Sequence, residues 1–251
     1  MPSETITSRQ NPLLQHVRRL LSSRSYREKC GAFAADGVKL LREAVQWNAE
    51  LEAVLLTAEV PDTAVPAGVR TVRVPEDVMA SVSPMESPQG ALFICKMPKL
   101  QPLDLRPGCL ILDGLQDPGN VGTILRTADA MDVPVVLSDG CADVWNHKTV
   151  RASMGAVFRT PVQTASAEQI IASCKERRIP LLVTALSDRA EDVRRSPLDG
   201  ALVIGSEGSG VRRIFLDAAD RELIIPMNPR CESLNAAAAA AIVLWEMKNR
   251  Q

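Results

Sequence analysis

The segment that decides the fold reads CLILDGLQDPGNVGTILR and covers residues 109–126. Its first part, CLILDG (109–114), predicts a buried strand because it is apolar until Asp113. A Pro-Gly turn follows at once, and a helix is predicted over 120–131, beginning at Asn120. A buried strand that turns directly into a helix is typical of α/β proteins.

The rest of the carboxyl-terminal part repeats this alternation. Strands are predicted over 133–138, 180–185, 201–206 and 222–227, and helices near 166–177, 210–218 and 235–248. Apolar strands that alternate with helices imply a parallel sheet covered on both faces. In such sheets ligands bind beyond the carboxyl ends of the strands. The functional residues are therefore expected directly after strands.

The amino-terminal part predicts a second, smaller α/β domain. Helices are predicted over 10–29 and 37–47, and short strands over 53–56, 71–74 and 91–95. The Pro-rich stretch MPKLQPLDLRPG (97–108) has the composition of a linker. These patterns divide the chain into a first domain over 1–97, a linker over 98–108 and a second domain over 109–251.

Composition excludes several classes of protein. Apolar residues make up 46% and charged residues 24% of the chain, as in soluble globular proteins, and the start lacks a signal peptide pattern, so a cytoplasmic location without membrane contact is expected. Six scattered cysteines and two histidines predict no metal site. The net charge of −1 does not indicate a nucleic-acid binder, and no DNA partner is expected. Residues 1–31 are more basic, which indicates either RNA phosphate contacts or a solvated helix face.

Three segments carry candidate chemistry, and the first is the helix after residue 117. Gly122 and Arg126 are four residues apart and share a helix face, so a guanidinium there could hold a phosphate or stabilise an oxyanion. A surface arginine beside a helix cap at Asn120 is the competing interpretation.

The second and third segments are loops that follow strands. ALVIGSEGSGV (201–211) has three glycines and a lone charge at Glu207. Its spacing matches neither the dinucleotide fingerprint nor a P-loop, which disfavours a nucleotide-dependent oxidoreductase. LIIPMNPRCESLNAAAAAAIVLWEM (223–247) contains Ser233 and Asn235, which are good helix caps, and then six alanines that suit close packing.

Together and in this order, the segments resemble the three motifs of the SpoU (TrmH-like) family in the SPOUT superfamily. Asn120-Val-Gly122-Thr-Ile-Leu-Arg126 resembles the first motif and Gly205-Ser206-Glu207-Gly208 the second. The third motif is similar to Ile225-Pro226-Met227 together with Ser233-Leu234-Asn235. Residues 31–96 resemble, more loosely, the small substrate-binding domain of the family, whose fold is like that of certain ribosomal proteins.

The resemblance implies a fold, a cofactor and an activity. It implies an α/β domain with a trefoil knot, S-adenosylmethionine bound within that knot, a homodimer, and methylation of a ribose 2′-hydroxyl in RNA. The residues that it places in catalysis are Arg126, Asn120, Glu207, Ser233 and Asn235. Those that it places at the cofactor are Gly205, Ile225, Leu234, Met227 and Ser206.

Two alternatives stay open. The substrate is expected to be ribosomal RNA of the 23S type, because of the separate amino-terminal domain, but transfer RNA is the alternative within the same fold. A non-catalytic RNA-binding ribosome-assembly factor is the alternative from another class. The presence of all five catalytic residues favours the enzyme.

Overall fold

The computed structural model describes residues 4–99 and 101–250. They form two compact units, which are described separately below. The first comprises residues 4–99 and 143–159, and the second comprises 101–142 and 160–250. Residue 100, within the predicted linker 98–108, lies outside the described residues. The division into functional domains at 1–97 and 109–251 stays a prediction.

The helices and strands follow the chain in this order. Up to residue 99 they are β1 (Glu4–Thr5), α1 (Pro12–Ser22), α2 (Arg24–Cys30), β2 (Ala32–Asp36), α3 (Val38–Gln46), β3 (Leu51–Leu56), β4 (Arg70–Arg73), α4 (Glu76–Val82) and β5 (Ala91–Lys96). From residue 101 they are β6 (Leu110–Asp113), α5 (Pro118–Ala130), β7 (Val135–Ser138), α6 (His147–Ala152), α7 (Ala156–Arg159), β8 (Val162–Ala165), α8 (Ala167–Arg177), β9 (Leu181–Thr184), β10 (Glu191–Asp192), β11 (Ala201–Gly205), α9 (Arg213–Ala218), β12 (Arg221–Ile224) and α10 (Ala236–Asn249).

The first unit is built on a mixed sheet with the strand order β1-β4-β3-β5-β2. β4 is parallel to β1 and β3, whereas β5 is antiparallel to β3 and β2. Leu14, Val17 and Leu20 form the apolar stripe of α1 and are fully buried in the core beside this sheet. Burying each such side chain contributes about 1.5–3 kcal/mol. The unit agrees with the small α/β domain that the sequence predicts.

The single helix predicted over 10–29 is wrong, because α1 and α2 are separate helices. Ser23 ends α1 with extended backbone, φ −125° and ψ 116°, and it also caps α2. Its hydroxyl oxygen accepts a hydrogen bond from the Tyr26 amide at 3.3 Å. A serine hydroxyl offers the backbone such an alternative to continuing a helix. The apolar residues that predict this helix all lie before Ser23. Their spacing therefore does not show whether the helix continues or ends there.

Residues 143–159 belong to the first unit although the chain on both sides of them belongs to the second. α6 packs against β2, and the ring centroids of Trp145 and Phe33 are 4.7 Å apart. Arg27, which is 3% exposed, donates to Asp143 Oδ2 through Nε at 2.9 Å and Nη2 at 2.6 Å. Its Nη1 donates to the Leu20 carbonyl at 2.6 Å. A buried ion pair therefore fastens this segment to α2.

The second unit is a parallel sheet with the strand order β10-β12-β9-β11-β6-β7-β8. β6 and β7 are buried at every position, as expected of strands covered on both faces. α10 packs against α5 and β11, and α8 packs against α9. The predicted fold class, α/β with a parallel sheet, is confirmed. The trefoil knot stays an expectation from the resemblance.

Two helix starts position the candidate site. α5 begins at Pro118, earlier than predicted, and Asp117 is its N-cap, with Oδ1 accepting from the Asn120 amide at 2.8 Å. Proline suits this first turn because it lacks an N–H that would need a partner. Asn120 is therefore inside the helix, and its side chain is not used for capping. Asn235 caps α10, as its residue type predicts, by accepting from Ala237 N at 3.0 Å and Ala238 N at 3.3 Å.

Among the described residues, no helix has both the length and the apolar character that crossing a membrane requires.

Replacing Arg27 by Ala should destabilise the first unit by about 3–5 kcal/mol, because it leaves the Asp143 carboxylate largely buried without its cation. Arg24→Ala is the matched control, since the ion pair of Arg24 with Glu28 on α2 is exposed and should contribute less than about 1 kcal/mol. Urea denaturation of both variants measures the difference. Equal losses of stability would contradict the assigned role of the buried pair.

Candidate functional site

A cavity of about 510 Å³ opens where β9, β11 and β12 end in the second unit. This volume is in the range of small-molecule sites. Its walls come from residues 184–187, 204–211, 222–225 and 233–234, with contributions from α9 and α10. The predicted residues that line it are Gly205, Ser206, Glu207, Ile225, Met227, Ser233 and Leu234. The residues predicted to be functional at or after the ends of β11 and β12 thus line the same cavity.

The glycine loop, residues 205–211, forms one wall of the cavity. Ser206 and Gly210 exchange backbone hydrogen bonds of 3.1 and 2.9 Å, which makes the loop a tight hairpin. A Cβ atom on Gly205 would lie 2.2 Å from the Gly210 carbonyl carbon. Gly210 has φ +68°, a conformation that favours glycine. Two of the three glycines are therefore required by close backbone approach or by dihedral angle.

A chain of hydrogen bonds joins the three motifs. The Asn120 side-chain amide donates to Glu207 Oε1. The Asn235 amide nitrogen donates to Asn120 Oδ1 at 3.0 Å. These residues come from α5, the glycine loop and the start of α10. The structure thus brings together three of the five residues predicted to be catalytic, although Asn120 and Asn235 do not line the cavity.

Arg126 and Ser233 stand apart from this chain. Arg126 is exposed on α5, about two turns beyond Asn120, and it does not line the cavity. In the part of the chain that the structure describes, its guanidinium has no hydrogen bond and no ion pair, so its donors are available to an anion. Ser233 is exposed at the cavity wall.

A polar network beside the cavity consists of residues that the sequence motifs do not predict to be functional. Arg212 donates to Asp113 at the end of β6, to Asp139 after β7 and to Ser138 Oγ. The Ser138 hydroxyl in turn donates to Asp113 Oδ1 at 2.8 Å and lies 3.2 Å from the Asp139 backbone carbonyl. The hydrogen bond from Arg212 holds the pKa of Asp139 below its usual range. The only sequence signal is Asp113 itself, a charged residue that ends an otherwise apolar strand and is 1% exposed.

The described ranges 4–99 and 101–250 hold no cluster of three or more His, Cys, Asp or Glu that could bind a metal ion. The thiols of Cys95, Cys109 and Cys174 are buried, and burial raises the pKa of Cys95 to about 12. Such thiols are protonated at neutral pH and behave as small apolar side chains.

The basic amino-terminal segment is largely paired within the first unit. The partners are Asp77 for Arg9, the Arg9 carbonyl and Ser81 for Arg18, the Tyr26 ring for Arg19, Glu28 for Arg24 and Asp143 for Arg27. Arginines that are committed to such contacts have fewer donors left for phosphates. This pairing favours the solvated-face interpretation of the segment.

Comparison with known proteins gives the family. Residues 107–245 match the model of the SpoU rRNA Methylase family. The chain belongs to the SpoU rRNA methylase family. Residues 11–92 also match the MRM3-like substrate binding domain, so the expected amino-terminal domain is present.

Relatives in this family match nearly the whole chain. The 23S rRNA (guanosine(2553)-2′-O)-methyltransferase RlmP of Bacillus subtilis is 33% identical over 91% of this chain and 93% of its own length. The human mitochondrial rRNA methyltransferase 3 is 29% identical over 94% of this chain and 72% of its own length.

Solved structures of methyltransferases share the fold. The AdoMet-bound rRNA methyltransferase from Sinorhizobium meliloti superposes with a TM-score of 0.87 at 27% identity and covers 99% of this chain and 98% of its own. The SpoU methyltransferase AviRb from Streptomyces viridochromogenes, in complex with AdoMet, gives a TM-score of 0.83 at 26% identity, with coverages of 96% and 98%.

Gly205→Ala should destabilise the second unit by about 1–3 kcal/mol, because the added methyl group has no room against the backbone of Gly210. Gly208→Ala is the matched control, since a Cβ there meets nothing within 4 Å. Thermal and urea unfolding measure both. Similar stability of the two variants would show that the glycine loop is less tightly closed than described.

Proposed function

We propose that this chain is an S-adenosylmethionine-dependent methyltransferase that methylates a ribose 2′-hydroxyl in ribosomal RNA of the 23S type. The observation that carries the proposal is that residues of the second and third SpoU motifs line one cavity, while Asn120 of the first motif is hydrogen-bonded to Glu207 and Asn235 of the other two. Ribosomal rather than transfer RNA is supported by the names of the two rRNA methyltransferases that match most of the chain.

The cavity has the features that an adenosine and a short amino acid tail need. Gly205 and Ser206 line the cavity with polar backbone and a hydroxyl group, while Ile225, Met227 and Leu234 offer apolar contacts. Adenine is flat and largely apolar at its faces, and backbone N–H and C=O groups read its edge. These five residues would hold the cofactor, which supplies a methyl group already activated on a sulfonium.

Arg126 has the role of binding the substrate and stabilising charge. A guanidinium stays protonated in proteins, so it is a poor proton acceptor. It lowers the free energy of the 2′-oxygen as negative charge develops there, and it holds the neighbouring phosphate. A phosphate oxygen or a water accepts the proton, the oxygen-to-carbon bond forms, and the bond from carbon to sulfur breaks.

The remaining predicted residues arrange this site. Asn120 accepts from Asn235 and donates to Glu207, so it fixes the distance between α5 and the glycine loop. Asn235 in turn orders the start of α10. Ser233, exposed at the cavity wall, is placed to hydrogen-bond to the ribose or to the cofactor. Correct placement of reacting groups supplies much of the rate of such a transfer.

The first unit has the role of selecting the RNA, as the family name of its matching domain suggests. On α3, Lys39 and Arg42 are exposed and have no side-chain partner among the described residues. They are better phosphate ligands than the paired arginines of α1 and α2. The cytoplasmic location expected from the sequence fits a ribosomal substrate.

The functional form is a homodimer in this proposal. α10 exposes two large apolar side chains, Ile242 at 40% and Trp245 at 59%. Arg126 does not line the cavity of its own chain. In a homodimer, it would act on a methyl donor bound in the cavity of the second copy. The homodimer implied by the resemblance accounts for both observations.

Arg126→Ala should lower the turnover number by about 10²-fold or more while the dissociation constant for S-adenosylmethionine stays near that of the wild type. Lys175→Ala, which removes an exposed cation from α8, is the control and should retain activity. Methyl transfer to RNA and calorimetry with the cofactor provide the two measurements. Full activity of Arg126→Ala would exclude the assigned role.

Trp245→Glu should convert the protein to monomers, because it places a charge in an apolar contact. Trp47→Glu, at a 47% exposed tryptophan of the first unit, should leave the oligomeric state unchanged. Light scattering coupled to gel filtration gives the mass directly. A monomeric wild type would exclude the dimer.

The function is tested by mapping 2′-O-methylation in cellular RNA with and without the protein, and by methylating purified ribosomal and transfer RNA pools. A methylated ribose that disappears from the large-subunit rRNA supports the proposal. Methylation of the transfer RNA pool alone would show that transfer RNA, and not ribosomal RNA, is the substrate. Absence of cofactor binding would favour an assembly factor.

A further inference from the structure

Arg212 occupies the point where the glycine loop ends and α9 begins. Val211 and Arg213, its neighbours in the chain, both line the cavity, but Arg212 does not. Its guanidinium is instead directed to the carboxyl ends of β6 and β7. Nε donates to Asp113 Oδ1 at 2.7 Å, Nη2 donates to Ser138 Oγ at 3.0 Å and Nη1 donates to Asp139 Oδ2 at 2.6 Å.

The Asp113 carboxylate is the buried end of this network. Its side chain has no exposed surface, and it accepts from Arg212 twice, from the side chain and from the backbone amide at 2.8 Å. Ser138 Oγ donates to its Oδ1 at 2.8 Å. Asp139 is more exposed and also accepts from the Ala167 amide at 3.0 Å. A buried carboxylate needs such compensation, so the network has one preferred geometry.

The glycine loop is attached to the β6–α5 segment at two points. At its tip, Glu207 accepts from Asn120. At its base, Arg212 binds Asp113. The Ser206 and Gly210 backbones are bonded to each other, so the hairpin between these points behaves as one body. The other end of the loop is fixed because Gly205 is the last residue of β11, paired with Asp113 on β6.

We infer that Arg212 is a positioning residue that sets the angle of the glycine loop over the cavity and thereby the affinity for the methyl donor. The inference rests on the proposed function. A guanidinium is suited to this task because its planar fork reaches Asp113, Ser138 and Asp139 at once, which the point charge of a lysine cannot do. Arg212 acts on the donor only through the loop, since it does not line the cavity.

A role in stability alone is the competing explanation, and it predicts a different pattern. If Arg212 only stabilises the second unit, its replacement lowers the melting temperature and leaves the properties of the folded fraction unchanged. If it positions the loop, the folded protein itself binds S-adenosylmethionine more weakly. The affinity measured well below the melting temperature separates these cases.

The experiment compares Arg212→Lys with the wild type by calorimetry with S-adenosylmethionine and by steady-state methylation of RNA. The control is Arg177→Lys, because Arg177 binds Asp104 at 2.7 Å and the Leu105 carbonyl at 3.1 Å but does not line the cavity. Arg212→Lys should raise the dissociation constant and the KM for the cofactor about tenfold. Its kcat at saturating cofactor should stay within about twofold.

Asp139→Asn provides a second variant that keeps the buried Asp113 pair and so protects the test against failure to fold. It should raise the KM for the cofactor by about threefold with little change in melting temperature. Unchanged cofactor affinity in both folded variants would overturn the inference and leave the proposed function intact. A wild type that binds no S-adenosylmethionine would overturn the proposed function, and the inference with it.

Discussion

The side-chain amide of Asn120 is the interaction on which the candidate site depends. It donates to Glu207, 87 positions further along the chain, and accepts from Asn235, 115 positions further along. A side-chain amide can do both at once, because it carries donor and acceptor groups on one planar unit. A carboxylate at this position would repel Glu207, and an apolar residue would remove the hydrogen bonds to Glu207 and Asn235.

This arrangement is possible because the parallel sheet gathers distant segments at one edge. β6, β9, β11 and β12 all end on that side, so each of the loops that follow them begins within reach of the others. The glycine loop can bend sharply enough to use this proximity because Gly205 leaves room for the Gly210 backbone and Gly210 adopts a positive φ. The strand order therefore decides which side chains meet at this edge, and the residue types decide what those side chains can bind.

The sequence predicts the parallel sheet and most strands, because apolar runs bounded by turns depend on local pattern alone. It also predicts that the three motifs lie after strands. It does not predict which residues pair: the contact of Arg212 with Asp113 spans 99 positions, and nothing in the local pattern distinguishes Arg212 from Arg213 beside it. The break at Ser23 is missed for a related reason, since one hydroxyl decides between continuing and capping a helix. The roles assigned to Arg126 and Ser233 stay predictions, because they concern molecules that the chain would bind.

The placement of residues 143–159 in the first unit has a consequence for how this protein can change over time. The backbone passes between the two units near residue 100, again at 142–143 and again at 159–160, so no single cut separates them. A fragment ending at residue 99 would keep Arg27 without Asp143, and a fragment beginning at residue 101 would carry Trp145 without Phe33. Recombination at one junction would thus damage both halves. The first unit is therefore not a continuous stretch of chain that a single junction could exchange for another.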